Sequence, residues 1–450
     1  MKFIKSLIFI GISALSFLGN AKTNNQIQVR SELASPIILE NSEEKNYLKV
    51  SLTGIEFDSS KRVPINLALV IDRSGSMSGD RIEKAREAAI LAVNMLNNED
   101  MLSIVAYDSD AKVILPSSKV TNKQKIIRLI NKHIIAGGGT ALFAGLSKGI
   151  NQVEKQLTKD KVNRIILLSD GQANIGPSSV GELSELAIIA AKKNIAITTL
   201  GIGSDYNEQL MSSIASYSDG NHVFIDDTAK LENVFVREFK DVMSTVAQDV
   251  IITIHLKEGV KPVRLLGRDG VIKDNQVTVK MNQLYSNQEK YLLLEVIPEK
   301  GKVGQNKTLA KIDLQYNNLL ENKTENETQV VKIAYIDNQD VVNKAIVHEV
   351  VAESEIQKVA LENEKALKLY NEGKLEEARQ LLQENSKKLR DRAEMLSERE
   401  PEVSSRLKEQ MDKNNIMADA ILTDDENTYR KKVTEKQYES KQNMKSVIKK

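Results

Sequence analysis

The sequence predicts an α/β fold class: a doubly wound, mostly parallel sheet inserted in a β-sandwich and followed by a helical C-terminal region. Three observations predict it. Between residues 63 and 246, apolar runs of four to seven residues alternate with helical segments, the pattern of parallel strands buried on both faces. On either side, in residues 22–60 and 247–340, apolar and polar residues alternate singly, as in strands with one covered face. Beyond residue 342 the chain is highly charged and its apolar residues recur at helical spacing.

The elements follow in chain order. Lys2 and Lys5, the apolar run Leu7 to Leu18, and small residues Gly19 and Ala21 predict an export signal over residues 1–21. That run is shorter than the roughly 20 residues a membrane-spanning helix needs, and no later stretch could span a bilayer. The expected location is periplasmic, cell-surface or secreted. The chain has no cysteine, which removes disulfides, thiolate metal sites, cysteine nucleophiles and a lipid-modified N-terminal cysteine; domains of this size bury cores without such staples.

Ile27, Val29 and Leu33 suggest one strand, and Leu48, Val50 and Leu52, alternating with Lys49 and Ser51, suggest another. Asp58 to Arg62 reads as a polar connector. The doubly wound segment, 63–246, has strands expected at Ile65–Ile71, Met101–Tyr107, Ile165–Leu168 and Ile195–Ile202. Its helices are expected at Arg81–Leu96, Ala141–Leu157, Gly181–Lys193 and Ala229–Val246, with Asp80 and Glu83 as a capping pair for the first. Lys112–Leu115 fits an antiparallel edge partner. Val250 to Leu256 and Ala310 to Tyr316 alternate again, so 22–60 plus 247–340 make one sandwich, with Asn317–Thr328 read as a loop. In the helical region, 342–450, Gly373 ends one helix and Leu375, Ala378 and Leu382 start the face of the next. This looks like half of a tetratricopeptide-like repeat, found in one copy. Pro401 separates a third helix. From Tyr429 to Lys450, eight Lys or Arg against two Glu give a net charge of +6, read as a solvated basic tail with a weak contact to an acidic surface as the alternative.

In an open α/β sheet, ligands sit beyond the carboxyl ends of the strands. Three loops expected there carry oxygen ligands: Asp72-Arg73-Ser74-Gly75-Ser76, Gly137 to Thr140, and Ser169-Asp170-Gly171. Each residue has a plainer reading. Asp72 could end a strand, Ser74 and Ser76 could form a turn, Thr140 could cap the helix at Ala141, and Asp170-Gly171 is a common turn pair. Taken together they describe a site for a hard divalent cation. Mg²⁺ takes six oxygens near-octahedrally and keeps waters. A shell of mostly neutral hydroxyls and water leaves the ion much of its charge, so that it can capture a carboxylate from another protein.

"VIDRSGSM", "GGGTAL" and "LLSDGQANIG" resemble the von Willebrand factor type A family with its metal-ion-dependent adhesion site; Thr140 falls 64 residues after Ser76, and Asp170 30 after Thr140. The resemblance covers roughly residues 63–246 and extends loosely to exported bacterial proteins in which such a domain interrupts a β-sandwich. It implies that Ser74 and Ser76 coordinate the ion directly and that Thr140 does so directly or through water. Asp72 and Asp170 would act largely through water. Mg²⁺ is the implied ion, with Mn²⁺ or Ca²⁺ as alternatives, and the implied partner is a protein presenting a carboxylate.

Other function classes find little support. Lys plus Arg total 63 against 62 Asp plus Glu, a net charge of +1, and aromatics are 4% with no Trp, so nothing points to nucleic acid. An aspartyl-phosphate enzyme would want a second acid where Ser74 stands. A serine nucleophile elbow would need serine where Met77 stands. No lysine follows Gly139 as a phosphate-cradling loop requires, and the four histidines lie far apart. The reading is a non-enzymatic, metal-dependent binding or adhesion module; the alternative is a structural or chaperone-like assembly factor of the cell envelope acting through the C-terminal helices.

Overall fold

The 450-residue chain is described by a computed structural model over residues 26–56, 62–203, 206–225, 227–441 and 444–446. The expected signal, residues 1–21, and the connector Asp58–Arg62 apart from Arg62 itself lie outside the described residues.

Among the described residues the first strands are β1 (Ile27–Leu33), β2 (Ile37–Leu39) and β3 (Asn46–Gly54). The α/β unit follows, with β4 (Ile65–Asp72), α1 (Asp80–Met95), β5 (Met101–Tyr107), β6 (Ala111–Lys119), α2 (Lys123–His133) and α3 (Leu142–Glu154). It continues through β7 (Val162–Ser169), α4 (Val180–Lys192), β8 (Ala196–Ile202), α5 (Glu208–Tyr217), β9 (His222–Ile225) and α6 (Leu231–Met243). Its sheet runs β6-β5-β4-β7-β8-β9, parallel except for the edge strand β6. The fold class is therefore the one the sequence predicts, including the antiparallel edge.

Every residue of β4 is buried because both faces are covered. Ile65, Leu67, Leu69 and Ile71 face α1, α2 and α6. Ala68 and Val70 face α3, α4 and α5. This period-two split of one apolar run is what a doubly wound sheet demands.

The chain then returns to antiparallel strands: β10 (Thr245–Leu256), β11 (Lys261–Leu266), β12 (Val271–Lys273), β13 (Gln276–Tyr285), β14 (Gln288–Ile297), β15 (Asn306–Asn318) and β16 (Lys323–Ile336). With β1, β2 and β3 they form two sheets, β1-β3-β14-β11 and β12-β13-β10-β15-β16-β2, which share one apolar core. Asn317–Thr328 is not the loop expected from its charge and asparagines. β15 and β16 pair through it, Asn318 opposite Lys323, and the turn is only residues 319–322, with Asn322 at φ 49°.

Among the described residues the helices that follow are α7 (Gln339–Lys344), α8 (His348–Asn371), α9 (Leu375–Leu396), α10 (Pro401–Thr423) and α11 (Glu426–Lys441), before a short strand β17 (Met444–Ser446). Gly373 (φ 78°) terminates α8; its N–H reaches the Tyr370 carbonyl and that of Lys374 the Leu369 carbonyl, the Schellman pattern. The expected solvated tail is instead a docked helix up to Lys441, with Tyr429, Lys431 and Val433 buried. Its charge hides two tyrosines and a valine that pack on α8 and on the α/β unit. Among the described residues no helix is long and apolar enough to cross a membrane.

Candidate metal centre

β4 and β7 lie side by side, parallel, and both end at the same edge of the sheet. β4 ends on Asp72 and β7 on Ser169, with Asp170 next. Asp72 is buried, and its neighbour in register on β5 is Tyr107. One Asp72 carboxylate oxygen accepts the Ser74 N–H at 2.8 Å and the other the Ser169 hydroxyl at 2.6 Å. Ser169 Oγ in turn accepts the Gly171 N–H at 2.8 Å. Asp72 is thus a clamp between two loops, and the Ser169 hydroxyl orients it.

The Ser74 and Ser76 hydroxyls stand 3.0 Å apart, Ser74 buried and Ser76 exposed. The second loop is tied to the first through its backbone: Gly75 N–H donates to the Gly138 carbonyl at 2.9 Å and Gly137 N–H to the Arg73 carbonyl at 2.8 Å. Thr140 is tied to the third loop. Its N–H donates to Asn174 Oδ1 at 2.8 Å, and its carbonyl accepts the Asn174 N–H at 3.1 Å. The capping alternative for Thr140 does not hold: Ala141 is the N-cap of α3, with no side-chain cap. The capping pair expected of Asp80 and Glu83 is absent too. Gly79 (φ 75°) is the N-cap of α1, and both acids lie within its first turn, where they complement the helix dipole.

Asp170 is nearly wholly buried, and neither of its carboxylate oxygens has a hydrogen-bond partner. A buried carboxylate without partners is costly and calls for a cation. Burial pushes the Asp72 carboxyl up to about 6, against the Ser169 hydrogen bond, and the charge of Asp170 adds to the rise. Two buried acids with hydroxyls beside them are a donor set for a hard divalent ion. No cluster of three or more His, Cys, Asp or Glu side chains placed to hold a metal occurs among the described residues, so any such site draws on hydroxyls. The residues fit the group: Asp72, Ser74, Ser76 and Asp170 converge from two adjacent strand ends, and Thr140 is held to them by the backbone of its own loop.

Three contributors escaped the sequence reading. Ser169 lies in the expected Ser169–Gly171 loop, where the sequence gives it no individual role. Tyr107, whose buried hydroxyl is raised well above its usual range first by burial and then by the charge of Asp72, is read only once β5 is known to flank β4. Arg81 lies 3.8 Å from Asp170 Oδ2.

Residues 66–237 match the family model described as the von Willebrand factor type A domain. Protein sll0103 of Synechocystis sp. is 27% identical over 284 residues, covering 60% of this chain and 66% of its own length. Protein YfbK of Escherichia coli (strain K12) is 32% identical over 211 residues, covering 46% of this chain and 36% of its own. The chain therefore spans less than two thirds of these relatives. A von Willebrand factor type A structure from Catenulispora acidiphila superposes with a TM-score of 0.68 at 17% identity, over 88% of this chain and 91% of that one, a likeness of fold.

Proposed function

We propose that the chain, whose residues 66–237 match the model of the von Willebrand factor type A domain, a module generally used in protein interaction, binds an acidic group of a partner protein through a divalent cation, Mg²⁺ foremost, held by Asp72, Ser74, Ser76, Thr140 and Asp170. The observation that carries this reading is Asp170, buried with both carboxylate oxygens unpartnered at the edge of the sheet where the two serine hydroxyls stand. The cation would act as an electrophile for an incoming carboxylate. The protein's own residues supply the rest: Asp72 fixes the loop through the Ser74 N–H, Ser169 fixes Asp72, and the hydroxyls present neutral oxygens that leave the ion its charge.

The role is binding rather than catalysis. Exposed Ile135 and Ile175 flank the site on the second and third loops and would favour a partner with an apolar residue beside its acid. The C-terminal helices bury their faces on the chain itself, which favours this reading over an assembly factor acting through them. The export signal read at residues 1–21 would bring the domain to a compartment rich in divalent cations.

Ser76→Ala is the clean test, because Ser76 is exposed and its hydroxyl pairs with that of Ser74. Titration calorimetry with MgCl₂ should register binding by the unaltered chain and a loss of roughly tenfold or more in the variant, with an unchanged unfolding midpoint in EDTA. Equal Mg²⁺ affinity in both proteins would sink the proposal.

A further inference from the structure

The geometry points to the β5–β6 turn, Asp108 to Asp110, as a fourth loop of this site: Asp108 and Ser109 are positioning residues that hold Thr140 at a fixed reach from Ser74 and Ser76, and the resulting cradle selects Mg²⁺ over the larger Ca²⁺. The inference rests on the metal-site reading above and adds to it the choice of ion.

Four observations meet at this turn. First, it brackets Thr140. The Gly139 N–H donates to Ser109 Oγ at 2.8 Å, and the Ala141 N–H donates to the Asp108 carbonyl at 2.7 Å. The backbone is pinned on both sides of the residue whose hydroxyl is to serve the ion. Second, the same turn grips the serine loop. Asp108 Oδ2 meets the Arg73 guanidinium at 2.7 Å, and Arg73 directly precedes Ser74. The Arg73 N–H also donates to the Tyr107 carbonyl at 2.8 Å. Third, the turn is closed on itself. Asp108 Oδ1 accepts the Asp110 N–H at 3.1 Å, and the Asp108 N–H donates to the Asp110 carbonyl at 2.9 Å. The carboxylate thus divides its two oxygens, one closing the turn and one holding Arg73. Fourth, the Thr140 loop has no slack between its neighbours. A Cβ on Gly138 (φ 84°) would come within 2.9 Å of Ser109 Oγ, and one on Gly139 within 2.5 Å of Ile175 Cδ1 on the third loop. Glycine at these two positions lets the loop be wedged this tightly.

Mg²⁺ demands near-ideal octahedral order with oxygens at about 2.0–2.1 Å, whereas Ca²⁺ takes oxygens at about 2.3–2.6 Å and tolerates irregular shells. The preference of a hydroxyl and carboxylate site is therefore decided by whether its loops can spread. Here, moving Thr140 away from the serines means breaking the Ser109 bond or the Arg73–Asp108 pair. Neither Asp108 nor Ser109 is a ligand; both act through the backbone of the Thr140 loop. The ion pair is partly open to solvent, and such pairs contribute little to folding. Its effect is on spacing.

The test uses the full chain and titration calorimetry with MgCl₂ and, separately, with CaCl₂. The unaltered protein should prefer Mg²⁺. Asp108→Ala and Ser109→Ala should each lower the ratio of Mg²⁺ to Ca²⁺ affinity by roughly tenfold, through lost Mg²⁺ affinity while Ca²⁺ affinity holds or rises. Asp108→Asn keeps an acceptor for the Asp110 N–H but not the charge facing Arg73, so its ratio should fall between. Ser109 is exposed, and its variant should unfold in EDTA at the midpoint of the unaltered chain. A ratio unchanged in both alanine variants, equal losses for the two ions, or a preference of the unaltered protein for Ca²⁺ would overturn the assignment. Failure of the unaltered protein to take up either ion would instead mark the metal reading itself as the error.

Discussion

Asp170 is the residue at which stability and binding pull against each other. It is buried with neither carboxylate oxygen hydrogen-bonded, while Gly171 N–H and Asn174 Oδ1 of the same loop are paired. Strain of this kind persists where a ligand resolves it. In EDTA, Asp170→Asn should therefore be more stable than the unaltered chain by about 1–3 kcal/mol, read from urea unfolding. In MgCl₂ the order should reverse, because only the unaltered chain gains from the ion. The same order in both buffers would contradict the role given to Asp170. At this scale the candidate oxygen donors were legible in the sequence: Asp72, Ser74 and Ser76 sit on one turn, and Thr140 and Asp170 stand in two further loops expected at strand ends. Ser169, Tyr107 and Arg81 were not legible, because their roles depend on which strand lies beside which. Tyr107 meets Asp72 only through the β4–β5 register.

Among the elements, the parallel strands were the easiest to read. β5 coincides with its expected bounds, and β4 and β8 differ by one residue at an end, since a strand covered on both faces is written as one unbroken apolar run. The misses have the opposite cause. β16 alternates charged and polar residues on a largely solvated strand, so its sequence looked like loop. α2, α5 and β9 were missed altogether; β9 is only four residues long. His222 opens β9 between neutral partners, Thr199 Oγ1 at 2.9 Å and Tyr206 Oη at 3.1 Å, with Tyr438 of α11 edge-on to its ring. Burial pushes this imidazole down to about 3. Between that value and the unfolded 6.5, the unfolded chain holds a proton that the folded chain refuses. Stability therefore falls as pH drops below 6.5. His222 alone should cost about 2 kcal/mol between pH 7 and pH 5, and His222→Gln should flatten that slope in urea titrations. A slope as steep in the variant would place the acid sensitivity elsewhere.

For the molecule as a whole, the joint between the sandwich and the C-terminal helices turns on Lys49. The alternation in β3 points Lys49 away from the sandwich core, the side a lone sheet would give to water. α8 covers that face instead, through Val350 against Leu266, Tyr291 and Leu293. The buried Lys49 ammonium meets Glu289 at 2.9 Å, Glu349 at 3.3 Å and Glu353 at 3.4 Å, and Arg406 of α10 joins Glu353 at 2.7 Å. Removing one member of a buried ionic group strands the others. Lys49→Met should cost about 3 kcal/mol in urea and should split unfolding into two steps, the helices parting before the sheets melt. A single transition with unchanged midpoint would show that the helices hold without it. At the opposite joint, Gly54 accepts the Asn287 N–H, the Ser286 N–H reaches the Ser244 carbonyl, and a Cβ on Gly54 would lie 3.1 Å from Val246. The way into the α/β unit and the way out are therefore next to each other. Residues 55–244 are thus an insertion whose two ends a short bridge could rejoin, but whose removal would uncover Gln283, Arg268 and Lys290 of the host, which pair with Arg164 and Asp219 of the guest.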